Sequence, residues 1–383
     1  MTDRVVVLGA GYAGAVAITA LEDTLTDADI TWVSEHDYHL VLHEVHRVIR
    51  DPGAEDAITI PVEDIKSGDT TFVQGRVDGV DTENRVVELG DDSAIDYDYL
   101  LIALGSSTAF YGIPGLAEHA HTLKGLDDAH GIHDAVRDAA EDATDGDPAR
   151  VVIGGGGISG IQIAGEIAEY RDTHDAPIEI TLVEALEEIM PGRDPGLQRR
   201  VRRLLDANGV EILTDDPITE STDTVVHFDT RDPVEHDVLV WAGGVTGRDA
   251  LEGAGVDANH NRVRTDATFR TSDERVFAVG DAASIDIDGT DVPPTAQAAW
   301  DAADVAAANV ARAIDGNALR SWSYTDKGTV ISVGEDAIAH DVLYLPVETF
   351  DSLPARFLKK VIGVRWIASV TSIRRGLSAW SVL

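Results

Sequence analysis

The sequence of 383 residues contains no cysteine, and that absence excludes several classes of protein. Disulfide-stapled scaffolds, thiolate metal sites and redox enzymes that relay electrons through a cysteine pair all require a thiol. Runs of 18 or more uninterrupted apolar residues are also absent, so the sequence predicts no transmembrane helix. A secretory signal peptide is not expected, because the first predicted strand begins near Arg4 and leaves no room for one. We therefore expect a cytoplasmic location.

Lysine is scarce, with five residues in the chain, and the net charge is −39. Asp and Glu are dispersed along the sequence rather than collected in a tail, a pattern that resembles the proteins of extreme halophiles. Dispersed carboxylates hold water and cations, and high salt screens their mutual repulsion. Nucleic acid is not an expected partner, because most of this surface would repel its phosphates. The length and an apolar fraction of 44% predict a globular protein of two or three domains.

An apolar run near the start of the chain, residues 5–8, leads into the sequence Gly9-Ala10-Gly11-Tyr12-Ala13-Gly14. A β-branched run before GxGxxG predicts a parallel strand that turns tightly into a helix, whose N-terminus attracts a pyrophosphate. The next predicted strand, residues 30–34, ends at Glu35, 26 residues after Gly9. A carboxylate at this point can bind ribose hydroxyls. These features together predict a dinucleotide site.

The same unit recurs 146 positions later, where residues 150–153 lead into Gly154-Gly155-Gly156-Gly157-Ile158-Ser159-Gly160. A predicted helix (161–171) and a predicted strand (178–183) follow, and the strand ends at Glu184. A carboxylate there accepts hydrogen bonds from a ribose 2′-OH and repels a 2′-phosphate. Because no Arg occurs at 185–189, the second loop favours NADH over NADPH.

Three further segments carry candidate functions. The predicted strand 275–279 ends in Gly280-Asp281, and a helix of small residues is expected next. Asp281 is therefore placed to bind a ribityl chain, to cap that helix, or to do both. An alanine-rich helix is expected over 295–314. Residues 35–46 hold four histidines, but their spacing matches no zinc pattern, so no metal site is predicted.

The last 32 residues reverse the charge of the chain. Residues 352–383 contain six Lys or Arg and no Asp or Glu, interspersed with Trp and branched aliphatic residues. Their spacing predicts a pair of helices around Gly363 that lies on an anionic membrane surface. The alternative is a tail that docks onto the acidic body of its own or a neighbouring subunit.

Together these motifs resemble the two-dinucleotide-fold flavoprotein reductases, and most closely the type II NADH dehydrogenases (NADH:quinone oxidoreductases). The resemblance covers essentially the whole chain. Besides the two glycine loops, the segments that carry it are 39–45, 101–107, 112–115, 164–166, 240–245, 280–281, 293–297 and 324–328. It implies an α/β fold with two Rossmann-like domains, as in glutathione reductase. The implied division is an FAD domain (1–124 and 265–320), an NADH domain (125–264) and a C-terminal region (321–383).

The resemblance also implies FAD as cofactor, NADH as substrate and a set of site residues. The residues implied for FAD are Gly9, Gly11, Tyr12, Ala13, Gly14, Glu35, His36, Ala103, Gly105, Gly280, Asp281, Ala296, Gln297 and Lys327. The residues implied for NADH are Gly155, Gly157, Ile158, Ser159, Glu184, Gly243 and Gly244. The implied catalytic residues are Gln162, Gln297 and Lys327, of which Lys327 is a candidate to stabilise negative charge on reduced flavin.

Two positions depart from the family's pattern. Gln162 stands where the family usually has a Glu that is thought to connect nicotinamide, flavin and proton uptake, and Gln cannot exchange a proton at neutral pH. Asp301 stands where a Gln commonly contacts the quinone.

By resemblance we expect a ping-pong reaction in which NADH reduces FAD and a membrane quinone, menaquinone in our hypothesis, then takes two electrons. No proton pumping is expected. The protein would act at the cytoplasmic face of the membrane, and a homodimer is one arrangement to test. Two alternatives remain open: a soluble NADH-dependent reductase of a ferredoxin- or rubredoxin-like carrier, and a flavoprotein that senses NADH with little turnover.

Overall fold

The computed structural model describes residues 2–345 and 347–383 and contains two parallel sheets. The strands of the first sheet, in pairing order, are Val276–Ala278, Tyr99–Ile102, Asp3–Leu8, Ala28–Ser34 and Thr71–Gln74. All of its pairs are parallel. The β-branched run at 5–8 is buried throughout, as is expected where helices cover both faces of a parallel sheet.

The second sheet repeats the central part of the first. Its strands, in pairing order, are Val238–Trp241, Ala149–Gly154, Ile178–Val183 and Val210–Leu213, again all parallel. In both sheets the strand before the glycine loop lies between the strand that ends in the acidic residue and a later strand. The internal repeat seen in the sequence is therefore a repeat of sheet topology, and the predicted α/β class with two Rossmann-like units is confirmed.

The longer helices flank these sheets, and shorter elements connect them. The longer helices are Tyr12–Thr24, Leu126–Asp142, Ile158–His174, Pro195–Ala207, Ala296–Ile314 and Ser352–Val370. The short α-helices are Arg47–Arg50, Glu55–Ile58, Leu116–His119 and Ile373–Ser378, and the 3₁₀ turns are Leu42–Glu44, Pro52–Ala54, Val62–Asp64, Asp249–Leu251, Gly280–Ala282 and Ala379–Ser381. The remaining strands are Tyr38–Leu40, Thr59–Pro61, Val77–Asp81, Val86–Leu89, Ala94–Asp96, Ser107–Thr108, Ile218–Ser221, Val225–Phe228, Val234–Glu235, Val245–Thr246, Ala258–Asn259, Arg262–Thr265, Ala283–Ile287, Thr290–Asp291, Thr329–Val333, Asp336–His340 and Thr349–Asp351.

The prediction of a helix of small residues after Asp281 is wrong. One 3₁₀ turn, Gly280–Ala282, leads instead into the strand Ala283–Ile287, which pairs in parallel with Arg262–Thr265. The turn begins after Val279, so Asp281 does not cap a helix. Small residues at 283–284 are buried where they pair within a sheet, a tertiary contact that outweighs their local helix propensity.

The C-terminal tail forms a pair of helices as expected, Ser352–Val370 and Ile373–Ser378, but the break between them lies at residues 371–372 and not at Gly363. The first helix runs without interruption through Gly363 and ends before Thr371. A Cβ at Gly363 would lie 2.8 Å from Leu383, so this glycine gives room to the chain end rather than breaking the helix. The tail packs against the rest of the chain through one face, as the docking alternative proposed. Within the described residues, no helix is both long and apolar enough to cross a bilayer.

Trp366 fixes the tail to the first glycine-loop unit. Its ring is fully buried, 4.6 Å from the Tyr12 ring and 4.5 Å from the Trp300 ring, centroid to centroid. Its Nε1–H donates to Nε2 of His39 at 2.9 Å. The contacts with Tyr12 and His39 join residues more than 300 positions apart in sequence.

We predict that Trp366→Ala lowers the free energy of unfolding by about 3–5 kcal/mol, because a buried aromatic ring leaves a cavity. The matched control is Phe357→Ala in the same helix, whose side chain is 60% exposed. That change should stay within about 0.5 kcal/mol of the wild type. Urea unfolding at high salt measures both, and equal losses in the two variants would contradict the docked position of the tail.

Candidate functional site

The first glycine loop has the geometry of a phosphate cradle. Gly11 precedes the helix Tyr12–Thr24, and among the described residues no side chain caps that N-terminus. A Cβ on Gly11 would have nothing of the described chain within 4 Å, whereas a Cβ on Gly14 would lie 1.9 Å from the Gly9 carbonyl oxygen. Gly11 therefore faces open space beside uncapped helix N–H groups, and Gly14 lets the helix touch the loop.

The second glycine loop repeats this geometry. Gly157 precedes the helix Ile158–His174, again without a capping side chain in the part of the chain that is described. A Cβ on Gly157 would face open space, whereas a Cβ on Gly160 would lie 1.9 Å from the Gly155 carbonyl oxygen. Both loops can therefore accept a pyrophosphate at a helix N-terminus. Ile158 and Ser159 form the first turn of this helix, with Ser159 exposed.

The acidic residues differ in what their carboxylates already bind. Glu184 is buried, and its two oxygens accept hydrogen bonds from the backbone N–H of Gly156 at 2.9 Å and of Leu186 at 3.0 Å. Glu184 thus fixes the backbone of the second loop at the carboxyl end of the strand Ile178–Val183. Glu35 is exposed at the equivalent strand end, followed by His36, whose ring stacks on Tyr38.

Residues from later segments lie next to the two loops. A Cβ on Gly9 would lie 2.4 Å from the Ala103 carbonyl oxygen, and one on Gly155 would lie 2.8 Å from the Gly243 Cα. Gly105 has a φ of +70° and an open position, and Gly244 has a φ of +143° under the Tyr111 hydroxyl.

Asp281 lies next to the first loop and has cationic neighbours that the sequence did not reveal. A Cβ on the preceding residue, Gly280, would be 3.3 Å from that of Ala13. Ser106 Oγ donates to the Asp281 carboxylate at 3.3 Å and itself lies 3.3 Å from Lys124 Nζ. Burial raises the pKa of Asp281, and the nearby cations Lys124 and Arg262 oppose this shift.

A cavity of about 550 Å³ opens at the junction of the two units, beside Lys124. Its charged lining residues are two cations and two anions, Lys124, Arg248, Asp128 and Asp249, and hydroxyl groups of Thr122 and Thr246 also line it. The cavity therefore offers charges of both signs to a ligand. No sequence pattern marked Lys124 or Arg248.

The predicted catalytic residues Gln297 and Lys327 are brought together, but with an unexpected partner. Lys327 Nζ forms an ion pair with Asp301 at 2.5 Å. The Gln297 side-chain amide donates to the Thr325 carbonyl at 2.8 Å and accepts from the Lys327 backbone N–H at 3.2 Å. The helix that carries Gln297 and Asp301 begins at Ala296 and is capped by the Thr295 hydroxyl. Asp301 therefore offsets the positive charge of Lys327 beside the first glycine-loop unit.

A buried ionic cluster, which the sequence did not predict, surrounds the third catalytic candidate, Gln162. We define it as Glu44, His46, Arg47, Gln162, Glu166, Ser332 and Lys359, all less than 10% exposed. Glu44 Oε2 lies 2.7 Å from Arg47 Nε and 3.2 Å from Lys359 Nζ. The cluster joins the histidine segment, the second glycine-loop helix and the C-terminal strand and helix.

Burial and neighbouring charges set the protonation of this cluster. Although burial acts in the opposite direction, the positive charges of Lys359 and Arg47 lower the pKa of Glu44. Burial lowers the pKa of Lys359 as well. Both groups are therefore held as an ion pair whose stability depends on each partner.

We predict that Lys359→Met lowers the free energy of unfolding by about 3 kcal/mol, because it leaves the buried carboxylate of Glu44 with one cation fewer. The neighbouring Lys360 is a matched control, since it is only partly buried and its Nζ donates to the Trp380 carbonyl. Lys360→Met should cost about 1 kcal/mol or less. Chemical denaturation measures the free energy of unfolding of both variants. A Lys359 variant as stable as the Lys360 variant would contradict the ion pair.

His39 holds the first loop to the tail in its neutral form. Its Nδ1–H donates to the Ala10 carbonyl at 2.7 Å while Nε2 accepts from Trp366, which assigns the tautomer from its partners. Burial lowers the pKa of His39 to about 4. Because the pKa of His39 is lower in the folded than in the unfolded protein, neutral His39 stabilises the folded state fully above the ordinary pKa of His. This stabilisation is lost as the pH falls below that value.

We predict that the stability difference between wild type and His39→Gln shrinks by about 2 kcal/mol between pH 7.5 and pH 5, since each pH unit below the ordinary pKa costs about 1.4 kcal/mol. Urea titrations at both pH values test this. A difference that is the same at pH 5 and pH 7.5 would show that His39 is not buried as the neutral form.

Comparison with known proteins agrees with this architecture. The pyridine nucleotide-disulphide oxidoreductase family matches residues 3–303. A protein named type II NADH:quinone oxidoreductase from Staphylococcus aureus is 28% identical over 392 residues, which cover 97% of this chain and 96% of the relative. A protein of the same name from Staphylococcus saprophyticus is also 28% identical, over 395 residues and the same shares of both chains.

Two solved structures share the fold. NDH2 from Plasmodium falciparum, solved in complex with NADH, superimposes with a TM-score of 0.84 at 16% identity and covers 100% of this chain and 98% of its own. The sulfide:quinone oxidoreductase of Aquifex aeolicus gives a TM-score of 0.80 at 18% identity, covering 97% and 92%. With both glycine loops inside the matched region, the chain belongs to the pyridine nucleotide-disulphide oxidoreductase family.

Proposed function

We propose that this protein is an FAD-dependent NADH:quinone oxidoreductase of the type II class. The observation that carries the proposal is the pair of glycine loops, each with an open glycine at an uncapped helix N-terminus in the described chain. The names of the staphylococcal relatives support the same activity. Bound FAD supplies a two-electron carrier that accepts a hydride from NADH and passes the electrons on.

The first loop suits FAD because residues from four segments converge on it. Asp281 lies next to the loop and offers a carboxylate to ribityl hydroxyls, and Lys124, which reaches that carboxylate through Ser106, offers a cation to the cofactor. Gln297, on the helix beginning at Ala296, and Lys327, just before the strand Thr329–Val333, approach the same unit together. In this proposal Lys327 stabilises negative charge on the cofactor only in part, because Asp301 shares it.

The second loop suits NADH. Gly157 leaves room for the pyrophosphate at the helix N-terminus, and Glu184 provides a carboxylate for the adenosine ribose. Gln162 lies in the same helix, one turn beyond Ile158, where its amide can position the nicotinamide by hydrogen bonding but cannot transfer a proton. Hydride transfer itself requires no protein acid or base, only position and a dry site.

We further propose that the protein binds the cytoplasmic face of a membrane through an apolar ridge on its tail. The ridge consists of the exposed side chains of Leu353, Phe357, Ile373 and Leu377, which are 59–74% exposed. Exposed cations Arg365 and Arg374 lie on the same two helices. Apolar side chains flanked by cations suit insertion among anionic headgroups.

Three finer points are part of the proposal. Menaquinone is the proposed acceptor, a homodimer the proposed assembly and high salt the proposed working condition. Dispersed carboxylates repel one another at low ionic strength, so flavin retention should improve as salt is raised. Sedimentation at high salt tests the dimer. In the proposed domain organisation, residues 1–124 and 265–320 form the FAD domain, residues 125–264 the NADH domain and residues 321–383 the C-terminal region.

The activity is tested by steady-state NADH oxidation at high salt. A menaquinone analogue is the electron acceptor in one assay and ferredoxin in the other. Quinone-dependent turnover supports the proposal. Turnover with the iron–sulfur carrier alone would favour the soluble reductase, and NADH binding with little turnover towards either acceptor would favour the sensor.

A further inference from the structure

The buried ionic cluster contains two titratable groups that face each other with an unfilled hydrogen-bonding position. His46 Nε2 lies 3.7 Å from Glu166 Oε1. No contact to either oxygen of Glu166 has hydrogen-bond geometry within the described residues, although the side chain is 0% exposed. Its Oε2 pairs with Arg50 Nε at 3.3 Å, whereas Oε1, on the His46 side, has only the 3.7 Å contact with the imidazole. A buried carboxylate oxygen without a hydrogen bond is costly, so a proton shared with His46 would stabilise the pair.

His46 is surrounded by donors as well as by this carboxyl group. Its Nε2 lies 3.1 Å from Lys359 Nζ, 3.2 Å from Ser332 Oγ and 3.5 Å from Gln162 Nε2. In the present arrangement Nε2 is therefore an acceptor and the ring is neutral. Lys359 has other acceptors, since Glu44 lies 3.2 Å and Ser332 Oγ 2.7 Å from its Nζ. Lys359 can therefore lose its contact with His46 and keep those with Glu44 and Ser332.

We propose that His46 and Glu166 form a proton store that takes up one proton when negative charge is added to the flavin site. This inference rests on the proposed function and names a task that Gln162 cannot perform. Glu166 lies four residues after Gln162 on the same face of the same helix, so the carboxyl group stands one helical turn farther along. His46 faces the Glu166 carboxyl group from the histidine segment, residues 35–46.

A continuous chain of polar contacts links the store to the first glycine loop. The Tyr12 hydroxyl, in the residue after Gly11, hydrogen-bonds His43 Nδ1. His43 Nε2 lies 3.6 Å from Glu44 Oε1, and Glu44 in turn contacts Lys359. Charge added at the loop therefore acts on the store through a low-dielectric interior, where electrostatic effects are strong.

The charges around the store disfavour a proton on His46 before reduction. The charged or titratable groups that face it are Lys359 from the tail helix, Arg47, Arg50, Glu44 and His43 from the histidine segment, and Glu335 beyond Arg50. Burial and then the nearby cations lower the pKa of His46 well below its usual value, whereas burial raises the pKa of Glu166. An added negative charge shifts both towards the protonated form.

The step balances as follows. NADH gives up a hydride, which carries two electrons and one proton, and leaves as NAD⁺; the flavin site gains one negative charge. One proton from solvent then binds the store, with a new N–H bond at His46 Nε2 donating to Glu166. The store releases that proton when the electrons leave for the acceptor.

Proton uptake per flavin tests the inference. The holoprotein, weakly buffered at high salt with an indicator dye, is reduced anaerobically by one equivalent of NADH. We expect uptake approaching about one proton per flavin in wild type and a loss of most of it in His46→Gln and in Glu166→Gln. The matched control is His130→Gln, since His130 pairs with Glu55 near the surface. Its uptake should equal that of wild type.

Each outcome decides the matter. Absence of uptake in wild type, or uptake per bound flavin unchanged in both variants, overturns the proton store. Because uptake is expressed per bound flavin, partial loss of flavin from a variant does not change the comparison. If NADH does not bleach the flavin, the proposed function fails instead. Electrons supplied photochemically would then still reveal the difference between wild type and variants.

Discussion

Replacing Gly11 by valine is expected to remove FAD without unfolding the protein. A side chain at Gly11 meets nothing in the described chain and needs no unusual backbone angle, so it fills only the space offered to the pyrophosphate. Flavin per protein should fall at least about tenfold, a loss of roughly 1.4 kcal/mol or more in binding. Visible absorbance after desalting at high salt measures it.

The equivalent change in the second loop separates the two cofactor assignments. Gly157→Val should retain flavin and weaken NADH binding by on the order of a hundredfold, since Gly157 has the same open position and ordinary angles. Gly68→Val is the matched control, a turn glycine that also faces open space. Loss of flavin from the Gly157 variant, but not from the Gly11 variant, would reverse the assignment of the two loops.

Removal of the apolar ridge is expected to abolish membrane binding. Changing Leu353, Phe357, Ile373 and Leu377 together to serine removes four exposed apolar side chains, each able to contribute about 1.5 kcal/mol on insertion. Partitioning onto phosphatidylglycerol vesicles should weaken by on the order of a hundredfold or more. Flotation of the full chain at high salt measures this with the charges screened.

A single exposed leucine elsewhere gives the matched control for the ridge. Leu186 is 55% exposed but lies in the second unit, after Glu184. Leu186→Ser should float as the wild type does. If the ridge variant also floats unchanged, the tail is a docked segment only and membrane association is wrong.

The parts of the fold that were predictable are those with a local cause. Both strand–glycine–helix units follow from short-range patterns, and their repetition fixed the class. The helix expected after Asp281 failed because pairing with Arg262–Thr265, distant in sequence, decided the conformation of small residues. The tail helix passes through Gly363 because Leu383 fills the space opposite, which no local pattern reveals.

The candidate site divides in the same way. Glycines and acidic strand ends were identified from spacing, whereas the ionic cluster around Gln162 joins residues more than 300 positions apart. Charge partners such as Asp301 for Lys327 depend on side-chain direction in the folded chain. The assigned roles of the site residues stay predictions that the variants above test.

The most direct test of the central claim is an anaerobic sequential-mixing experiment on the wild-type holoprotein at high salt. NADH is added first, and a menaquinone analogue follows once the flavin absorbance has settled. The account predicts that NADH bleaches the flavin and that the quinone restores its absorbance without a protein carrier. Flavin that is not bleached by NADH, or that stays reduced with quinone present, would contradict it.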